Sequence, residues 1–287
     1  MTDVMRPDGT TIHYEVFGEN NGGTPLLLLA PGGVNSQIDF WQRSIINPIE
    51  SFSDEFMVIG MDQRHCGQSK TALEPFNYEK AMLDQIAVLN DLDVPQAHVM
   101  GGCIGCAYAL RLADQAPARV AGLVMQDPVG LDETNSPETF YEMFNPTIRL
   151  CRAEGLEAVI EAAQRDPIFM QNNEAGPFAQ RIHDEPLFAE AVRTMRREAY
   201  IALVVEFRDG MWPNQPPYFA VNEVSVQRSY SPMLVLPGSD PFHPTGIGHR
   251  ICNEAPNARC LDVDARSPQK LQATLDAIRD FLREHSG

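Results

Sequence analysis

Short runs of apolar residues alternate with longer segments of helical pattern along most of the chain. An apolar run of about four to eight residues suits a buried strand, whereas a helix shows apolar residues every three or four positions. The strand candidates are Ile12 to Phe17, Leu26 to Ala30, Met57 to Met61, His98 to Met100, Val120 to Met125, Met233 to Leu236 and Arg259 to Val263. Strands that alternate with helices predict an α/β fold, with a mostly parallel central sheet flanked by helices.

Two connecting segments have distinctive residues. The glycine-rich stretch from Gly18 to Gly23 separates the first two strand candidates and predicts a hairpin. Ser267 is expected to cap the last helix and Pro268 to occupy its first turn, where a missing N–H costs nothing. That helix is marked by four apolar residues that share one face: Leu271, Leu275, Ile278 and Leu282.

The alternation stops between residues 131 and 228. This segment has helical pattern and prolines but no convincing strand, and it is rich in large side chains such as Phe140, Phe207 and Trp212. We expect a helical subdomain here, with most of these side chains filling its own core and the rest lining a pocket. Residues 1–130 and 229–287 are expected to form the α/β core.

Composition narrows the choice of partners. The 287 residues carry a formal net charge of −17, which argues against a nucleic acid or an anionic membrane as partner. Met1 to Thr10 is polar, so no secretory signal is predicted, and Leu26 to Ala30 is too short to span a bilayer. Six cysteines without a signal are expected to be reduced thiols. We therefore expect a soluble cytoplasmic protein that acts on a small molecule.

The segment from His98 to Leu110 is the most informative in the chain. It runs from an apolar strand through glycines directly into a helix rich in alanine and leucine. Gly101 and Gly105 stand two residues on either side of Cys103, which is the G-x-S-x-G nucleophile-elbow pattern with cysteine in place of serine. The central residue takes a strained backbone, so its neighbours must lack bulk where strand and helix approach. Because the sulfur would stand at a helix N-terminus, which favours a thiolate, the pattern predicts a nucleophile.

Two other interpretations of this segment stay open. Cys103 could be a small buried residue, or it could form a dithiol redox site with Cys106, since the two make a C-x-x-C at a helix start. The flanking glycines fit the elbow better than a thioredoxin-type turn. A metal site would need further ligands at suitable spacing, and no second pair is found. No metal or cofactor is expected.

With its surroundings, the elbow resembles the α/β-hydrolase superfamily over nearly the whole chain. Ala30-Pro31-Gly32-Gly33 follows the second strand candidate, where that family usually has His-Gly before an oxyanion-hole residue. The resemblance implies that the N–H groups of Gly33 and Ile104 hold an oxyanion. The insertion after Asp127 falls where the family places its cap. The resemblance therefore implies an α/β-hydrolase fold with a helical cap inserted after the sixth strand.

The stretch from Asp62 to Ser69 resembles another element of the family, the D-x-R-G-x-G-x-S loop. His65 stands where glycine is usual. The loop is mainly structural in the family, so Asp62, Arg64, Gly67 and Ser69 are expected to be scaffold. His65 and Cys66 could instead approach the site.

The family also implies an acid and a histidine. Asp240 matches the acid position after the strand Met233 to Leu236, but residues 262–268, where the histidine should stand, contain none. We expect His243 to take the role, oriented by Asp240 or by Asp127, which follows a strand where some members carry their acid. His249 is an outside alternative. In a second explanation no base is used, and the pocket binds a ligand or needs no histidine relay.

These observations predict a hydrolase in which Cys103 attacks an electrophilic carbon. The expected substrate is a small, largely apolar ester, lactone, thioester or activated ketone. Three other functions stay open: a non-hydrolytic acyl transferase, cyclase or lyase on the same fold, a ligand-binding protein without catalysis, and a redox protein using Cys103 with Cys106. The fold alone does not choose among them. Oligomeric state leaves no mark in the sequence.

Overall fold

A single mixed sheet organises the molecule. The computed structural model describes residues 2–262 and 267–286. Its eight-stranded sheet has the order β1-β2-β4-β3-β5-β6-β7-β8. The strands are β1 (Thr2–Met5), β2 (Thr11–Phe17), β3 (Leu26–Leu29), β4 (Val58–Met61), β5 (Ala97–Gly102), β6 (Val120–Gln126), β7 (Met233–Leu236) and β8 (Ala258–Cys260). The pairs β1–β2 and β2–β4 are antiparallel and the others parallel, which confirms the predicted α/β fold.

Helices fill the connections between strands. They are α1 (Ile38–Gln42), α2 (Pro48–Phe52), α3 (Tyr78–Asp91), α4 (Ile104–Gln115), α5 (Pro137–Tyr141), α6 (Asn145–Glu154), α7 (Leu156–Arg165), α8 (Ala179–Asp184), α9 (Pro186–Arg193), α10 (Arg197–Met211), α11 (Glu223–Gln227), α12 (Thr245–Glu254) and α13 (Leu271–Glu284). Single 3₁₀ turns cover Gly33–Asn35, Pro117–Arg119, Asn173–Ala175 and Pro268–Lys270. Among the residues described, no helix has both the length and the apolar character needed to cross a membrane.

The middle strands are apolar on both faces because helices cover both sides of a parallel sheet. Every residue of β3, β4 and β7 is buried. One side of the sheet contributes Leu28, Met100, Val124 and Leu234 to a core cluster that also contains Ile278 and Leu282 of α13. The predicted apolar face of the last helix is thereby confirmed.

Two expectations at the ends of that helix need correction. The hydroxyl of Ser267 makes no capping bond and instead lies 3.0 Å from Oε1 of Gln269, because a 3₁₀ turn starting at Pro268 precedes the helix. The preceding strand ends at Cys260, and Val263 lies outside the described residues.

The predicted hairpin between β2 and β3 is wrong. β2 pairs with β1 and β4, whereas β3 pairs with β4 and β5. Gly18, the first glycine of the connection, allows a close backbone approach, because a Cβ there would lie 2.5 Å from the carbonyl oxygen of Ser53. The hairpin of the sheet is formed by β1 and β2, and β1 is not among the strands predicted from the sequence. Its turn is closed by a hydrogen bond of 2.7 Å from the N–H of Arg6 to the carbonyl of Thr10.

The expectation that all six cysteines are reduced is also wrong for two of them. Cys252 of α12 and Cys260 of β8 form a disulfide, because the helix packs on the strand that follows it. The thiols of Cys66, Cys103, Cys106 and Cys151 are free.

The chain divides into two compact units. The first comprises residues 1–70, 78–135 and 215–287, and the second comprises Thr71–Asn77 and Ser136–Asn214. The second unit is smaller than the predicted 131–228, since a hydrogen bond of 2.9 Å joins the N–H of Leu131 to the carbonyl of Pro217 inside the first unit. Its own core is aromatic, with the rings of Phe144 and Phe169 5.0 Å apart and those of Phe178 and Phe207 5.4 Å apart.

Candidate active site

Cys103 occupies a strained turn between β5 and α4. Its φ of 53° and ψ of −119° lie in a region that residues with a side chain rarely adopt. A Cβ on Gly105 would lie 1.9 Å from the carbonyl oxygen of Leu29, and one on Gly101 would lie 2.3 Å from the carbonyl oxygen of Gly105. The two glycines are therefore required for strand and helix to meet at this angle. The geometry of the nucleophile elbow is present, with a half-buried sulfur-bearing residue at its apex.

Two backbone N–H groups are placed near the elbow by neighbouring strands. Ile104 is the first residue of α4, so its N–H has no carbonyl one turn earlier to bond. Gly33 opens the 3₁₀ turn after β3 with a φ of 61°. Since β3 and β5 are paired, with Leu29 opposite Gly101, both groups follow the carboxyl ends of adjacent parallel strands. This is where ligands bind in open α/β sheets.

His243 and Asp240 form a tight turn after β7. The two carboxylate oxygens of Asp240 lie 2.9 and 3.0 Å from Nδ1 of His243. Oδ1 also accepts hydrogen bonds from the backbone N–H groups of Phe242 at 2.9 Å and of His243 at 3.1 Å. The carboxylate is thus held by its own loop, and it fixes the imidazole in the orientation that has the Nδ1 proton on the aspartate side.

The pKa of His243 depends on Cys103. Its side chain is 14% exposed, and this burial acts to lower the pKa of His243. The negative charge of Cys103, a hydrogen bond to Cys103 and the bond to Asp240 outweigh burial and raise the pKa of His243 to about 9. An imidazole with this pKa carries its proton at neutral pH. The structure therefore brings together the predicted nucleophile, histidine and acid.

Asp127, the other candidate acid, lies on the neighbouring strand end. It follows β6 with a φ of 50°, and its N–H donates to the carbonyl of Leu236 at 2.9 Å. Its charge, after burial and the charge of Cys103, helps to raise the pKa of the Cys106 thiol. Asp240 supplies a carboxylate that hydrogen-bonds to His243.

Cys106 is buried and hydrogen-bonded to the backbone. Its buried Sγ donates to the carbonyls of Gly101 at 3.2 Å and Gln126 at 3.3 Å, and burial raises the pKa of its thiol well above the usual value. It is not bonded to Cys103. A buried thiol that ties the elbow to β6 weighs against the dithiol redox interpretation.

The loop from Asp62 to Ser69 is scaffold, as expected. Both carboxylate oxygens of Asp62 accept backbone hydrogen bonds, from Ile38 at 2.8 Å and Gln68 at 2.7 Å. Arg64 forms a buried ion pair with Asp84 at 2.8 Å.

Within this loop, Cys66 approaches the 3₁₀ turn that Gly33 opens, as the sequence allowed. The Cys66 Sγ lies 4.0 Å from the carbonyl of Gly33.

Other histidines have roles outside this site. His98 is fully buried in β5 and lies 3.2 Å from the hydroxyl of Ser286; burial and the charge of His285 lower the pKa of His98 to about 4. His249, the outside alternative, is exposed on α12, where its Nε2 lies 2.8 Å from Oδ1 of Asp262.

Comparison with known proteins agrees with this fold. Residues 25–180 match the family described as alpha/beta hydrolase fold, and the chain belongs to that family. A protein of Variovorax paradoxus named "Putative carbamate hydrolase RutD" is 31% identical over 176 residues, which are 61% of each chain and so less than two thirds of the relative. A protein of the same name from Caulobacter segnis is 26% identical over 257 residues, 86% of this chain and 85% of the relative. The enol-lactonase structure from Burkholderia xenovorans LB400 superposes with a TM-score of 0.62 at 19% identity, covering 96% of this chain and 98% of the other, which shows the shared fold.

Proposed function

We propose that this protein is a hydrolase that uses the Cys103 thiolate to cleave an ester, lactone, thioester or activated ketone in a small, largely apolar substrate. The observation that carries the proposal is the strained turn that places Cys103 directly before α4, with φ 53° and ψ −119°. It is supported by the Asp240–His243 pair and by the raised pKa of His243, to which Cys103 contributes. A histidine whose positive charge is favoured by a neighbouring cysteine is the arrangement of a thiolate–imidazolium nucleophile.

The relatives agree with this class of substrate. Their names describe a carbamate hydrolase and an enol-lactonase, both of which act on a carbonyl carbon bonded to oxygen or nitrogen. We propose that the second compact unit, Thr71–Asn77 with Ser136–Asn214, is the family's helical cap.

In the proposed first step, the Cys103 thiolate forms a bond to the carbonyl carbon. The carbonyl π electrons move to oxygen, and the N–H groups of Gly33 and Ile104 donate to the oxyanion. When the carbonyl re-forms, the bond to the leaving group breaks. The His243 imidazolium gives that group its proton, and Asp240 holds the imidazole in place. The product of this step is a thioester on Cys103.

The second step returns the enzyme to its starting state. His243 is now neutral and takes a proton from a water molecule, whose oxygen attacks the thioester carbon. Collapse of this intermediate expels the Cys103 thiolate and releases an acid that contains one solvent oxygen. The imidazolium–thiolate pair is then restored, so no further cofactor is needed for the cycle.

The test measures hydrolysis of small activated aryl esters and enol lactones in water enriched in ¹⁸O. Wild type is expected to release an acid with one ¹⁸O atom, and peptide mass spectrometry is expected to find the acyl group on Cys103. Cys103→Ala should abolish turnover, and His243→Gln should lower it by about 10²–10⁴-fold, the usual contribution of a general acid–base group.

His249→Gln is the matched control because His249 also pairs with an aspartate but is exposed and lies on α12. Its turnover should equal that of wild type. Full activity of Cys103→Ala would refute the nucleophile. Acyl transfer without ¹⁸O incorporation would instead support the non-hydrolytic interpretation.

A further inference from the structure

Four residues with metal-binding side chains meet outside the candidate active site. His249 and Cys252 are three residues apart on α12 and share a face of that helix. Cys260 ends β8, and Asp262 follows two residues later with its carboxylate close to the Cys260 sulfur. Because α12 packs on β8, each element directs two side chains toward the other.

The side-chain atoms of this group are close together. The ligand atoms of His249, Cys260 and Asp262 all lie within 4.8 Å of one another, and Nε2 of His249 is 2.8 Å from Oδ1 of Asp262. The sulfur of Cys252 lies outside this group of three but is bonded to that of Cys260, which puts a fourth donor one bond away from the group. The side chains of His249 and Asp262 are 47% and 70% exposed, so an ion has access from solvent.

We propose that reduction of the Cys252–Cys260 disulfide creates a binding site for one zinc ion, held by His249, Cys252, Cys260 and Asp262. Two thiolates, one imidazole and one carboxylate are the donor types that zinc prefers, in the number that a tetrahedral structural site uses. With bonds of about 2.0 Å to nitrogen and oxygen and about 2.3 Å to sulfur, the ligand atoms would be about 3.3–3.8 Å apart. The 2.8 Å between Nε2 of His249 and Oδ1 of Asp262 would have to lengthen slightly to reach this range, and the two sulfurs would have to separate after reduction.

The redox step balances with an external dithiol as reductant. The dithiol transfers two electrons and two protons to the Cys252–Cys260 bond, becomes a disulfide itself, and leaves two protein thiols. Both thiols lose their protons to solvent as zinc–sulfur bonds form. In the oxidised protein the two sulfurs are bonded to each other, and only His249 and Asp262 remain as ligands. Zinc affinity is therefore expected to depend on the redox state.

The proposed ion and the disulfide have the same mechanical effect. Each joins α12 to β8, and α12 starts at Thr245, two residues after His243. A link between helix and strand would thus persist under reducing and oxidising conditions.

The test uses cobalt(II) as a spectroscopic substitute for zinc, in the Cys103→Ser background so that the elbow thiol does not compete. The full-length protein is reduced with a phosphine, and the reductant is removed under nitrogen. We expect one equivalent of cobalt to bind with an intense thiolate-to-cobalt absorption in the near ultraviolet, and one equivalent of zinc to displace it. The oxidised protein, with only His249 and Asp262 as ligands, should lack the band and bind cobalt much more weakly.

Single substitutions identify the ligands. Cys252→Ser and Cys260→Ser should weaken the thiolate band, while His249→Gln and Asp262→Asn should lower affinity with both sulfurs retained. His183→Gln, which changes an exposed histidine on α8, is the matched control and should bind like the parent. Circular dichroism of each variant checks folding. If a cysteine variant does not fold, His249→Gln and Asp262→Asn, which keep both cysteines, still test whether these side chains bind the metal.

Three results would overturn the proposal. The reduced protein could bind no cobalt, the oxidised protein could bind it equally well, or all four ligand variants could bind like the parent.

Discussion

The pKa of His243 is the most direct measure of the proposed ion pair, and Cys103→Ala is the substitution that tests it. The pKa is raised from 6.5 to about 9 although burial acts to lower it, so Cys103 and Asp240 together supply the increase. At about 1.4 kcal/mol per pH unit, the net interaction amounts to about 3 kcal/mol. Removing the sulfur deletes both the negative charge and the hydrogen bond of Cys103. We expect the pKa of His243 to fall by at least about one pH unit, while Asp240 retains part of the effect.

The assay follows the imidazole carbon resonances by NMR from pH 5 to pH 11 in protein with ¹³C-labelled histidine. The His243 resonance is assigned by its loss in His243→Gln. His249 serves as internal reference because its partner, Asp262, is unchanged in the variant. A His243 pKa near 9 that stays the same in Cys103→Ala would refute the reasoning, because the sulfur would then not be its cause. A pKa near 6.5 in wild type would refute the ion pair itself.

Two further predictions concern the scaffold. Gly105→Ala should prevent folding or lower the unfolding temperature by many degrees, since its methyl group would lie 1.9 Å from a backbone oxygen of β3; Gly22→Ala, with nothing within 4 Å, should unfold like wild type. Asp84→Asn should lower the unfolding free energy by about 3–5 kcal/mol in urea denaturation because it leaves Arg64, whose side chain is 3% exposed, without its main counter-charge. Glu157→Gln removes an exposed ion pair and should change little. If Gly105→Ala were as stable as Gly22→Ala, the steric reasoning at the elbow would be wrong. If Asp84→Asn were as stable as Glu157→Gln, burial of the ion pair would not determine its contribution.

Features set by local sequence were predictable. The apolar runs of β3 and β7 identify strands because both faces of a parallel strand are buried. The spacing of Gly101 and Gly105 identifies the elbow because each glycine is required by a backbone atom less than 3 Å from where its Cβ would be. The apolar runs and the glycine spacing both reflect local requirements, which recur wherever a parallel strand is covered on both faces or a strand turns sharply into a helix.

Features set by distant parts of the chain were not predictable. The glycine-rich stretch from Gly18 to Gly23 is compatible with a hairpin and also with a close backbone contact at Gly18. Only the position of Ser53, 35 residues after Gly18, distinguishes the two. The disulfide between Cys252 and Cys260 depends on how α12 packs on β8. An apolar run shows that a strand exists but does not show which strand lies beside it.

The choice between two acids illustrates the same limit inside the site. Asp127 and Asp240 follow β6 and β7, which are adjacent and paired at Gln126 and Leu236. Both carboxylates therefore stand at the same edge of the sheet, and chain order alone does not separate them. What favours Asp240 is the turn after β7, which places Nδ1 of His243 within 3.0 Å of both of its carboxylate oxygens.

The cysteine at the elbow and the unusual position of the histidine have a common physical explanation. A serine hydroxyl must lose its proton to a neutral base during attack, which demands close alignment of that base with the oxygen. A thiol ionises much more readily, so a nearby positive charge is enough to keep it a thiolate before substrate arrives. In the mechanism that we propose, His243, held by Asp240 three residues earlier in one turn, would provide such a charge. A thiolate nucleophile needs a nearby positive charge more than it needs a closely aligned base, so its histidine can lie in the same turn as the aspartate that holds it. We infer that this is why Cys103 and His243 occur together.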